Sequence, residues 1–146
     1  MSTQEKFIEL PLPQKDIDFP LMKALEKRKS IRKWKNTPLS EQEISNLLWA
    51  ACGITKNKYG NVKSKRTAPS ACNSQEIRVY AIMKEGVFLY DEEKHNLCQI
   101  ISDDVREHIG TQKMMKLCPM GLAFVADLSR LNSPFIRSDE AKRFSA

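Results

Sequence analysis

Arg28-Lys29-Ser30-Ile31-Arg32 and, further along, Pro69-Ser70-Ala71-Cys72-Asn73-Ser74-Gln75 are the two stretches on which the reading of this chain turns. In the first, two guanidiniums and an ammonium surround a hydroxyl, which offers fork-shaped and point-charge donors to a phosphate dianion. In the second, a loop of small residues ends in two carboxamides, neutral donors and acceptors for a polyhydroxyl chain. Together they suit a ribityl phosphate. Standing alone, the first stretch also admits the less favoured reading of a basic helix C-terminus stabilised by the helix dipole. The second stretch, following it in order, argues against that.

Working outward, the chain mixes helix and strand. Phe7-Ile8-Glu9-Leu10 predicts a short strand broken by Pro11-Leu12-Pro13, within an extended arm over residues 1–19. Pro20 opens a helix with Leu21, Met22 and Leu25 on one face, running out at Arg28 or Lys29, so the cationic stretch lies at a helix end. Ser40-Glu41-Gln42-Glu43 is a capping box, and Ile44, Leu47, Leu48 and Ala51 follow at helical spacing until Gly53 supplies a stop. Trp49 falls off the centre of that stripe and reads as a half-buried surface residue.

Beyond the second loop, Ile77, Val79, Ala81 and Met83 alternate with Arg78, Tyr80, Ile82 and Lys84, and Glu85-Gly86 turns the chain into Val87-Phe88-Leu89-Tyr90. That predicts an antiparallel hairpin. A second turn over residues 91–94 leads into a strand at Leu97 to Ile101. Asp103-Asp104 predicts the cap of a helix reaching about Leu117, with Pro119 ending it. Gly121 to Ala126 is a nearly continuous apolar run, which predicts a strand covered on both faces in the sheet centre. Ser138, backed by Asp139 and Glu140, has the chemistry of another helix start.

With 146 residues, 41% hydrophobic and 29% charged, the chain is expected to form a single domain over 1–146 with a core of its own. It holds no apolar run long enough to span a bilayer and its first residues are polar, so the expected location is the cytoplasm, away from membranes. Cys52, Cys72, Cys98 and Cys118 form no Cys-x-x-Cys pair, which argues against a zinc site and for reduced thiols. Cys72 reads as a small apolar filler in its tight loop. The net charge of +6 is concentrated at Lys23 to Lys35 and Lys56 to Arg66, a front that draws anions. The second of these tracts reads as a solvated loop, and nucleic acid is disfavoured because no helix-turn-helix, zinc or aromatic ribonucleoprotein motif is present. His95 and His108 lack any partner pattern and read as surface residues.

The two motifs, together with Leu47-Leu48-Trp49-Ala50-Ala51-Cys52-Gly53-Ile54, Arg66-Thr67-Ala68-Pro69-Ser70, Gly86-Val87-Phe88-Leu89-Tyr90-Asp91 and Ala126-Asp127, resemble the FMN-dependent nitroreductase-like oxidoreductases. Those proteins carry Arg-x-Ser-x-Arg and then a Pro-Ser-x-x-Asn-x-Gln loop, and the resemblance runs from Leu21 to the end of the chain. The Leu-Leu-Trp-Ala-Ala and Gly-Val-Phe-Leu-Tyr segments look closest to the branch of azoline-oxidising peptide dehydrogenases.

The resemblance implies an α+β, nitroreductase-like fold, a central, mostly antiparallel sheet flanked by helices. It implies a homodimer with FMN at the subunit interface, NAD(P)H as electron donor and a small nitroaromatic or quinone-like acceptor. Arg28 and Arg32 would contact the phosphate or the polar edge of the flavin, Ser30 the ribityl-phosphate region, and Lys29 would add charge. Asn73 would bind the ribityl chain or ring edge, with Pro69, Ser70 and Gln75 shaping the loop. A flavin carries the redox chemistry itself, so no catalytic acid or base is required of the chain. One departure is Glu76-Ile77 after Gln75, where the family often has proline and an aromatic. Family members continue for another strand and two long helices, so the resemblance also implies that the C-terminal part is missing here. A non-catalytic remnant or partner-binding module of the same fold is the alternative to an enzyme, and an azoline-oxidising dehydrogenase is a further one.

Overall fold

The protein is described by a computed structural model covering residues 6–35 and 37–131. Helix α2 (Glu41–Cys52) begins where the sequence says it must. Ser40 Oγ accepts from the Glu43 amide at 3.2 Å while the Glu43 carboxylate accepts from the Ser40 amide at 2.8 Å, closing the capping box. Those bonds also hold the Glu43 carboxyl below its ordinary pKa. The buried face is Ser45, Leu48 and Cys52, with Ile44 partly packed beside it, whereas Leu47 is 45% exposed. The core stripe is therefore turned from the expected one. Ser45 tolerates burial because its hydroxyl donates to the Pro11 carbonyl at 2.6 Å. Gly53 follows in ordinary extended backbone, and its lack of a side chain matters for space: a Cβ there would lie 2.2 Å from Trp49 Cδ1.

The described residues form seven strands: β1 (Phe7–Glu9), β2 (Ile54–Lys56), β3 (Lys65–Arg66), β4 (Ile77–Met83), β5 (Gly86–Asp91), β6 (Asn96–Ile101) and β7 (Met120–Ala126). Five of them form one sheet in the order β1-β6-β5-β4-β7, every pair antiparallel, and β2 with β3 makes a separate ribbon. The β4–β5 turn needs Gly86, whose φ is +132° and whose Cβ would meet the Ile101 carbonyl oxygen at 2.0 Å. In the next turn, Asp91 Oδ1 accepts from the Glu93 and Lys94 amides, both at 3.0 Å. One sheet face supplies Val79, Ala81, Met83, Phe88, Tyr90 and Leu97 to Leu48 and Cys52, and this is the core.

Helix α1 (Leu21–Lys27) is present, but Leu21, Met22 and Leu25 are more than half exposed. Two expectations are corrected. Residues 103–117 form short 3-10 turns at Arg106–His108 and Lys113–Leu117 instead of a helix. Asp104 is drawn to the guanidinium of Arg106, at 2.8 and 2.9 Å, so it caps nothing beyond that turn. Strand β7 is at the edge of the sheet among the described residues, paired only with β4, and leaves Phe124 57% and Val125 47% exposed. The expected helix start at Ser138 lies outside the described residues.

Candidate functional site

Helix α1 ends with the Arg28 amide bonded to the Leu25 carbonyl at 3.3 Å, which places the cationic stretch at a helix end as read from the sequence. Arg28, Lys29, Ser30 and Arg32 are all exposed. Among the described residues, none of their side chains makes a hydrogen bond or ion pair, so the whole donor set is uncommitted. Just downstream, Trp34 Nε1 donates to the Met114 carbonyl at 3.2 Å and ties the segment to the turn at Lys113–Leu117.

The second loop enters β4 through a 3-10 turn at Ala71–Asn73, and three of its residues sit in the left-handed region: Cys72 (φ 51°), Asn73 (φ 52°) and Gln75 (φ 58°). Backbone of that kind is unfavourable for non-glycine residues and persists where neighbours impose it, commonly at functional loops. The neighbours are visible here. Asn73 Nδ2 donates to the Ser64 carbonyl at 3.0 Å, Gln75 Nε2 to the same oxygen at 2.5 Å, and the Gln75 amide to Ser70 Oγ at 3.0 Å. The carboxamides thus close the loop on Ser64, leaving the Gln75 carbonyl end and one Asn73 N–H for other partners. Cys72 is exposed, which corrects its reading as a buried filler. Pro69, Ser70, Asn73 and Gln75 share this loop, and among the described residues no hydrogen bond or ion pair links Ser70, Asn73 or Gln75 to Arg28, Lys29, Ser30 or Arg32.

Arg66 is the residue that the sequence did not single out. Its side chain is 3% exposed, ion-paired with Glu92, and donates to the carbonyls of Ile77 at 2.8 Å and Gln75 at 3.4 Å. Burial pulls its pKa below the usual arginine value. Arg130 adds a bond to the Gln75 carbonyl at 3.2 Å. Two guanidiniums therefore hold the backbone at the mouth of β4. The basic tract ending at Arg66 is exposed for most of its length, but Ser64 and Arg66 at its end belong to the interior.

His95 also departs from expectation. It lies in the β5–β6 turn with φ 55°, and its ring bridges Ser45 Oγ at 2.8 Å, the Pro11 carbonyl at 3.1 Å and the Tyr90 hydroxyl at 2.8 Å. A carbonyl can only accept, so Nε2 carries the proton and Nδ1 accepts from Tyr90. Neutral His95 satisfies every partner. Burial, and secondarily Lys15, press its pKa below the ordinary value while Pro11 opposes them. The unfolded chain consequently takes up a proton first as pH falls. Stability is full above about pH 6.5 and declines below it, down to the lowered folded-state pKa. Thermal midpoints measured from pH 8 to 5 should fall more steeply for the wild type than for His95→Gln, and parallel curves would dismiss His95 as the titrating group. His108 is exposed beside Glu107, as expected. No cluster of metal-ligating side chains occurs among the described residues, and no described helix is long and apolar enough to cross a membrane.

An antiparallel sheet backed by a capped helix, with a phosphate-type donor set before it and a strained carboxamide loop opening its β4, makes an α+β fold. The chain belongs to the nitroreductase family, whose model matches residues 25–143. It is 27% identical over 133 residues to a Methanocaldococcus jannaschii protein assigned as a nitroreductase, covering 84% of this chain and 64% of that one. It is similar to a crystal structure assigned as a nitroreductase from Ralstonia eutropha JMP134, with TM-score 0.79 and 34% identity over 100% of this chain and 68% of the other. The chain thus spans less than two thirds of the length of the curated relative.

Proposed function

We propose that the protein is a cytoplasmic, FMN-dependent oxidoreductase that passes electrons from NAD(P)H to a small nitroaromatic or quinone-like acceptor. The observation that carries this reading is the uncommitted set Arg28, Lys29, Ser30 and Arg32 at the end of α1 in a chain of the nitroreductase family. The donor chemistry fits the cofactor: Arg28 and Arg32 present forks for phosphate oxygens, Lys29 a point charge and Ser30 a hydroxyl. Asn73 retains one amide N–H and Gln75 its carbonyl end for the ribityl chain or ring edge, while Pro69 and Ser70 shape the loop. When bound, FMN supplies hydride and electron transfer, and the chain's part is to hold it and leave a face open to substrate.

The acting form is proposed to be a homodimer. The exposed apolar side chains Leu21, Met22 and Leu25 on α1, next to the cationic motif, support an interface there. Light scattering on the flavin-loaded protein should report two copies, and a loaded monomer would exclude this arrangement. The enzymatic reading is tested by adding FMN to purified protein, then NADH or NADPH without oxygen. Bleaching of the flavin band, restored by a quinone, is the expected result. Protein that stays colourless in excess FMN would be a non-catalytic module of this fold, and reoxidation coupled to a peptide azoline product instead of a quinone would place it with the azoline-oxidising branch.

A further inference from the structure

A cleft of about 690 Å³ opens at the end of the sheet where β4 begins and β5 ends, on the face turned away from α2. Lys58, Lys63, Arg78, Lys94 and Arg130 line it, against Asp91, Glu92 and Glu93. Four of those eight charged side chains are committed, and the Glu93 carboxylate has no side-chain partner among the described residues. Glu92 is paired with buried Arg66, and Asp91 holds the turn amides and lies 3.7 Å from Lys94 Nζ. Arg130 is engaged by Asp127 at 3.5 Å and by the Gln75 carbonyl.

Arg78 is different. Its guanidinium makes no hydrogen bond or ion pair among the described residues, and its Nε is buried without an acceptor. Asp127, which feels its charge, is taken up by Ser129 at 2.6 Å and by Arg130. Lys58 and Lys63 likewise have no anionic partner among the described residues. A buried guanidinium N–H lacking an acceptor is costly, and native proteins keep few of them; Arg66 Nε is another here. Beside it, Phe7, Leu89 and Cys98 give the cleft an apolar wall. The volume falls in the range that takes a small organic ligand.

We propose that this cleft binds a small organic carboxylate with an apolar ring or chain, the carboxylate on Arg78 and the apolar body against Phe7 and Leu89. A planar carboxylate matches the fork of a guanidinium and supplies the missing acceptor, while Lys58 and Lys63 add attraction without geometry. Gln75 belongs both to this cleft and to the loop assigned to the flavin. Resting on that flavin reading, the cleft makes nitroaromatics or quinones that also carry a carboxylate the acceptor class of the enzyme, the nitro or quinone group taking up the electrons.

The test is calorimetric titration of the flavin-free full chain with 2-naphthoate. Saturable binding is expected, weakened about tenfold or more in Arg78→Gln, in line with loss of a charge-assisted bond. The neutral isostere 2-naphthalenemethanol should bind equally weakly to both proteins. Unchanged 2-naphthoate affinity in Arg78→Gln would overturn the proposal, and displacement of 2-naphthoate by equimolar inorganic phosphate would overturn its apolar half. Should Arg78→Gln lose the wild-type melting temperature, Lys63→Gln at an exposed position takes its place, with a several-fold weakening expected and no change counting against the site. Because flavin is absent throughout, failure here leaves the FMN assignment standing, and failure of FMN to bind leaves this cleft standing.

Discussion

Arg28→Ala weakens FMN binding by about 2 kcal/mol or more, roughly thirtyfold, because it removes charge-assisted bonds to the phosphate from an exposed residue with no other partner among the described residues. Arg32→Ala is expected to do the same, and Lys29→Ala less, since an ammonium contributes charge without a fork. Quenching of flavin fluorescence during titration reads the affinity directly. All four groups are exposed and make no bond among the described residues, so these substitutions should leave the fold intact. Silence of Arg28→Ala and Arg32→Ala together would remove the site assignment.

The second large effect lies in the interior. Arg66→Ala strands the Glu92 carboxylate, whose side chain is 15% exposed, and releases the carbonyls of Gln75 and Ile77. Breaking a buried pair by deleting one partner costs about 3–5 kcal/mol, a large part of the ~5–15 kcal/mol that holds a domain together. Urea denaturation should show that loss, and the double variant Arg66→Ala, Glu92→Ala should be more stable than Arg66→Ala alone, because no charge is then left unpaired. A loss below about 1 kcal/mol would mean that the pair is a solvated surface contact.

What could be read from the chain follows from how local each cause is. Helix α2 was legible because Ser40 and Glu43 settle its start within four residues, and the β4–β5 hairpin because a period of two and Glu85-Gly86 are local signals. The rotation of the α2 stripe was not legible, since Ser45 is buried by a carbonyl 34 residues before it. Gly121 to Ala126 was recognised as a strand but misplaced at the sheet centre, because an apolar run does not say how many neighbours it has. Residues 103–117 misled because Asp104 looks like a cap until Arg106 is seen to take both its oxygens. For the proposed site, residue types and order singled out Arg28 to Arg32 and the Pro69 to Gln75 loop as candidates. Arg66 was hidden at the end of a tract that is otherwise solvated, and His95 was hidden because its partners Ser45 and Pro11 are 50 and 84 positions away.

Those long separations bear on the order in which the molecule assembles. Strand β1 has three residues and touches the sheet through β6 alone, so it cannot hold its place by ladder bonds. Its anchor is the Pro11 carbonyl, which needs Ser45 from a finished α2 and His95 from a finished β5–β6 turn. Closing so long a loop is slow and is rewarded only after both receptors exist. Strand β1 is therefore expected to be the last to dock and the first to open, and the amides of β1 and of the β6 edge it covers should exchange with solvent as one unit well before those of β4 and β5.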